Sequence, residues 1–105
     1  METQTKNDLD IYKEYGYEKS KVPFSEGMEI SDTTEMVTNP YSEVEVELNP
    51  IEVAVYDVLM GCYELHLLAG KDDKMEQARE FYNDFQKGKN WFIENNPDAY
   101  FKLID

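Results

Sequence analysis

One cysteine, one histidine and one tryptophan are all that this chain of 105 residues holds of those three types. With Cys62 alone, no intramolecular disulfide can form, and a disulfide-stapled secreted scaffold is excluded. Basic residues are scarce as well: 10 Lys and Arg stand against 23 Asp and Glu, a net charge of -13. That balance argues against direct binding to nucleic acid or to an anionic membrane surface. It fits solubility alone, a basic protein surface as partner, or a protein that normally holds nucleic acid. The opening METQTKNDLD has neither an apolar run nor a basic start, so no signal peptide is read there. The longest apolar-rich stretch, Val53 to Ala69, is interrupted by Asp57, Glu64 and His66, and reads as too polar for a membrane span. No glycine-rich phosphate loop, paired CxxC or GxSxG is present. The expectation is a cytoplasmic protein that is not an enzyme and carries no cofactor and no metal.

What is present is enough to fold. Apolar residues at 41% and aromatics at 13% are those of a chain with a core. Residues 1–35 carry nine acidic and four basic side chains, few aliphatics and no sustained period. They read as an acidic arm, either loosely ordered or pinned across the core by Tyr12, Tyr15 and Tyr17. Leu9, Tyr12 and Tyr15 suit one short amphipathic turn that Gly16 would stop. From Met36 the pattern changes. Val44, Val46 and Leu48 alternate with Glu43, Glu45 and Glu47, the period of a half-buried strand. Asn39-Pro40 is a turn signal, so a small β-hairpin over about 36–48 is predicted.

Residues 49–105 hold the main core. Asn49 is a good N-cap, Pro50 suits the first helical position, and Glu52 stands three after the cap. A helix over about 50–69 follows, with Gly70 as a left-handed stop. At 100° per residue only Asp57, Gly61 and Glu64 make a polar stripe, so this helix needs more than one covering layer. Asp73 with Glu76 opens a second helix over about 73–94, whose apolar face is Met75, Ala78, Phe81, Tyr82, Phe85 and Phe92. The short link Gly70–Asp72 makes the two antiparallel. Asn96-Pro97 repeats the cap-plus-proline start and begins a short helix over 97–104. The fold class is α+β: a helical hairpin, a short C-terminal helix and a small β-hairpin in one small domain over 36–105, with the arm before it. So small a domain buries only about 60% of its unfolded surface. The strand, the arm or a second copy of the chain must complete the cover of the first helix, and a homodimer is one expectation.

Each candidate for chemistry has a plain structural alternative. Cys62 and His66 share a helix face and could supply half of a metal site or a thiol with its base. No other Cys or His completes a site, and a buried thiol with a histidine near a helix C-terminus explains both. Glu43, Glu45 and Glu47 would lie about 6.6–6.8 Å apart along a strand. That row could mimic every second phosphate of DNA, where charges recur about every 3.4 Å per strand. It could equally be a solvated face that blocks edge pairing. Trp91 falls on the polar side of the second helix, where it packs against the terminal helix or marks a contact surface. The tyrosines Tyr12, Tyr15 and Tyr17 are pins or a recognition surface.

The stretch NPYSEVEVELNPIEVAVYDVLMGCYEL (Asn39–Leu65) and the ending WFIENNPDAYFKLID (Trp91–Asp105) resemble small uncharacterised proteins of tailed bacteriophages, of the T4-like type that infects cyanobacteria. The resemblance is carried by Asn39-Pro40, Glu47-Leu48-Asn49-Pro50, Tyr56-Asp57, Gly61-Cys62, Trp91-Phe92 and Asn96-Pro97. It implies no activity. It implies a protein made during infection that acts in the host cytoplasm or rides in the virion. The expected function is a non-catalytic interaction protein that binds a host or phage protein. Two alternatives stand beside it: an acidic nucleic-acid mimic that inhibits a host DNA- or RNA-binding protein, and a minor virion component.

Overall fold

A computed structural model describes residues 7–104 of the chain. Residues 1–6 of the expected arm lie outside the described residues. In order come helix α1 (Asp8–Glu14), a 3-10 turn (Lys19–Lys21), strands β1 (Glu35–Thr38) and β2 (Glu45–Leu48), and helices α2 (Pro50–Lys71), α3 (Met75–Asn95) and α4 (Pro97–Ala99). A π-helical turn, Tyr100–Ile104, continues α4. The class is α+β as expected: a helical hairpin, an antiparallel two-stranded hairpin and a short terminal helix.

Local hydrogen bonding explains where α2 starts. The Asn49 side chain accepts from the Glu52 amide at 2.9 Å, and Glu52 Oε1 accepts from the Asn49 amide at 3.0 Å. This reciprocal box satisfies two donors that a helix start leaves open. Asn96 repeats the cap for α4, accepting from the Ala99 amide at 3.2 Å.

The far end of α2 departs from expectation. Gly70 stays within the helix, and the left-handed residue is Asp73 at φ 61°. The Lys74 amide donates to Ala69 O at 2.9 Å and the Asp73 amide to Gly70 O at 3.2 Å. Those two bonds are a Schellman closure, and aspartate is among the few residues that adopt its left-handed position. Asp73 therefore closes α2 rather than capping α3, which starts at Met75 with no side-chain cap. Helix α1 ends by the same device. Gly16 at φ 83° lets the Tyr17 amide reach Tyr12 O at 2.9 Å.

The arm gives the core more than tyrosines. Ile11, Tyr12, Val22 and Met28 are buried in one cluster with Leu48, Ile51, Val55, Leu59, Trp91, Phe92, Ala99 and Leu103. Leu9 is exposed and Ile11 buried, so α1 turns a different face inward from the one its spacing predicts. These residues and β2 cover α2 from Ile51 to Leu59. On the other side α3 comes very close at Gly88. A Cβ there would meet Leu59 Cβ at 2.8 Å and the Phe24 ring at 3.2 Å.

Candidate functional site

Cys62 and His66 are adjacent on α2 and have separate surroundings. A carbonyl only accepts, so the 2.9 Å contact between His66 Nδ1 and Ala78 O puts the proton on Nδ1. That bond ties α2 to α3, and the ring stacks among Tyr63 at 6.3 Å and Tyr82 at 5.1 Å. Burial, and then the charge of Asp84, push the Cys62 thiol upward from its ordinary range. The thiolate that nucleophilic chemistry and metal binding both need is thereby disfavoured. Among the described residues no three of His, Cys, Asp and Glu converge as a metal site.

The expected row of three glutamates is not formed. Glu45 and Glu47 lie in β2, but Glu43 sits in the preceding turn at φ 64°. Its amide donates to Asn39 O at 2.8 Å, while Asn39 Oδ1 accepts from the Tyr41 amide at 2.8 Å. The asparagine turn consumes the residues that would have lengthened the strand. Strand spacing therefore relates only Glu45 and Glu47, and the phosphate-like series shortens to two.

Of the two expectations for the tyrosines, the structure has them as pins on the core, and Tyr17 is set against Trp91. Tyr12 is 1% exposed, and its hydroxyl meets no hydrogen-bond partner among the described residues. Burial raises its pKa, followed by Asp8 and Glu26. Tyr15 is half-buried. The Tyr17 ring lies 5.5 Å from that of Trp91, and its hydroxyl accepts from Asn49 Nδ2 at 3.0 Å. Trp91 is only 6% exposed and packs edge-on to Phe92 at 5.1 Å. The residues around Tyr17 and Val22 cover the tryptophan that α3's period places outside. Shallow clefts of about 320 and 370 Å³ flank it, both lined by Lys21, Val22, Trp91 and Glu94.

A surface that no single residue announces lies at the other end of the helical hairpin. Beyond Leu59 the N-terminal segment and β2 no longer cover α2, and only α3 does. Leu65 is 45% exposed, Leu68 56% and Met75 60%. Tyr63, Leu67 and Tyr82 are also exposed. Leu65 and Leu68 stand one turn apart on one flank of α2, Tyr63 and Leu67 on the other. Helix α3 covers only the face between them, that of Cys62, His66 and Ala69. The sequence carries the signal for this surface as the apolar excess of α2. It does not say which half would stay bare. By length and composition α2, 22 residues long, is apolar enough to cross a membrane. Burial of Ile51–Tyr56 and Leu59 in the core accounts for the apolar content of its first half.

No family model, no curated protein and no solved structure matches this chain.

Proposed function

We propose that this chain is a non-catalytic, phage-encoded interaction protein that binds another protein through the uncovered half of the α2–α3 hairpin. The observation that carries this reading is the group of exposed side chains Tyr63, Leu65, Leu67, Leu68, Met75 and Tyr82. Singly scattered apolar side chains are ordinary on a soluble surface, but Leu65 and Leu68 on one flank of α2 and Tyr63 and Leu67 on the other concentrate them at one end of the hairpin, and such concentrations are often binding sites. Charges of both signs border it at Lys71, Asp72, Lys74 and Glu76, the polar rim that surrounds an apolar contact. The resemblance over residues 39–105 supports the setting, a host cytoplasm during infection or the particle itself.

Affinity capture from host lysate tests this reading when run beside the double variant Leu65→Glu, Leu68→Glu. A defined protein held in stoichiometric amount by the native chain and lost on the variant supports it, provided both have the same circular dichroism. The same proteins held by both would sink it. Light scattering at twice the chain mass, reduced to one in the variant, would replace the partner with a second copy.

A further inference from the structure

The β-hairpin carries a second surface, independent of the apolar end of the helices. The Asn39 amide donates to Val44 O at 2.9 Å, which makes those two residues a hydrogen-bonded pair. Such pairs alternate along an antiparallel ladder. With Val37 opposite Val46 and Glu35 opposite Leu48, these two pairs are bonded as well. The amide and carbonyl groups of Met36 and Thr38 therefore point away from β2. Among the described residues neither amide has a backbone acceptor outside the ladder. β2 packs on α2 and on the terminal turn, whereas the neighbour of β1 is β2. Glu35, Met36 and Thr38 are exposed, and so are Thr33 and Thr34 before them. The outer edge of β1 is an unpaired template for one more strand.

Charge selects what could add there. Glu45 and Glu47 stand on the open face of the sheet, and Glu35 on the opposite face beside Asp57. The carboxyl of Asp57 is pushed up by partial desolvation and then by Glu35, which marks how close the negative charges lie. A second copy pairing edge to edge would bring the two acidic sheets together, in a chain already at net charge -13. An added strand lies about 4.8 Å from β1 and about twice that from β2. Lysine or arginine on its open face spans that gap across Met36, itself 58% exposed, to Glu47 and Glu45. We infer that the outer edge of β1 accepts an extended, basic segment of another protein as a third antiparallel or parallel strand. Backbone bonds at Met36 and Thr38 supply the register, and the glutamates supply the choice of partner.

A short peptide alternating lysine and valine is the probe, with hydrogen exchange on the native chain as the readout. The peptide should bind, more weakly as salt rises from about 50 to about 200 mM. It should slow exchange of the Met36 and Thr38 amides. The same peptide N-methylated at alternate residues keeps its charge and loses its strand donors. It should bind at least about tenfold more weakly, and a glutamate–valine peptide should not bind. Met36→Pro removes only an outward amide, a place where edge strands tolerate proline, and should weaken binding similarly. Equal binding of the methylated peptide would reduce the effect to charge and overturn the inference. Unchanged exchange at Met36 and Thr38, or no binding of the lysine–valine peptide, would overturn it too. The Leu65→Glu, Leu68→Glu variant should bind the peptide as the native chain does, so this inference and the proposed function fail separately.

Discussion

Asn96 donates from its side-chain amide to Glu52 Oε2 at 2.8 Å, across 44 positions of sequence. The other oxygen of the same carboxylate closes the cap at Asn49, whose side chain also reaches Tyr17. One buried glutamate thus joins the starts of α2 and α4, two of the three Asn-Pro sites of the chain, and Tyr17 extends the network to the N-terminal segment. Removing it leaves donors on both asparagines without their acceptor. Glu52→Ala should cost about 1–3 kcal/mol. In a domain of this size that lowers the melting temperature by roughly 4–8 °C per kcal/mol. Thermal unfolding followed by circular dichroism measures it. Glu52→Gln, which keeps an oxygen for one bond, should lose less.

Gly88 is the point where α3 can approach α2 closely. Alanine is normally the better helix residue by about 1 kcal/mol. Here its methyl would sit 2.8 Å from Leu59 Cβ, 2.9 Å from Leu59 Cδ2 and 3.2 Å from Phe24 Cε2. Gly88→Ala should therefore destabilise, by about 1–3 kcal/mol. Denaturant unfolding of the variant decides it, and a more stable variant would show that the helices separate at little cost.

Trp91 is the only tryptophan, so its emission reports its cover. Tyr17→Ala removes the ring stacked on it and should shift the emission to the red. Tyr17→Phe keeps the ring and loses the bond to Asn49. It should leave the emission in place and lower stability by about 0.5–1.5 kcal/mol.

Asp57 is an exposed residue of α2 whose carboxyl is held above the usual carboxylate range by partial desolvation and then by Glu35. A raised carboxyl means that the folded state prefers the protonated form. Its ionisation therefore disfavours folding once pH rises past the unfolded value and through the folded one. Asp57→Asn should raise the melting temperature at pH 7. The gain should disappear in acid, where the native carboxyl is protonated in both states. Melting curves across pH test the sign, and a loss at pH 7 would contradict it.

How far the fold can be read from the chain depends on the distance over which each decision is made. The start of α2 is legible because Asn49, Pro50 and Glu52 close their bonds within one turn. The hairpin is legible from the alternation Val44–Leu48, although the asparagine turn at 39 takes Glu43 out of the strand. The end of α2 is misread because Gly70 and Asp73 both suit a stop, and the closure is set by where the next helix must begin. That Trp91 packs is one of its two readings, but its cover is not legible, because α3's period places it outside and the segment around Tyr17 that covers it lies more than 70 positions earlier.

By itself, then, the sequence determined the starts of α2 and α4, the alternating strand, the antiparallel hairpin and the apolar excess of α2. Those follow from hydrogen bonds and periodicities that close within a few residues. The tertiary structure decided which half of α2 is covered, that Ile11, Tyr12, Val22 and Met28 join the core, and that Gly88 must be small. It also decided that Glu52 meets Asn96. Each of these depends on chain segments meeting across long loops, and no local window of sequence records which face a distant segment will reach.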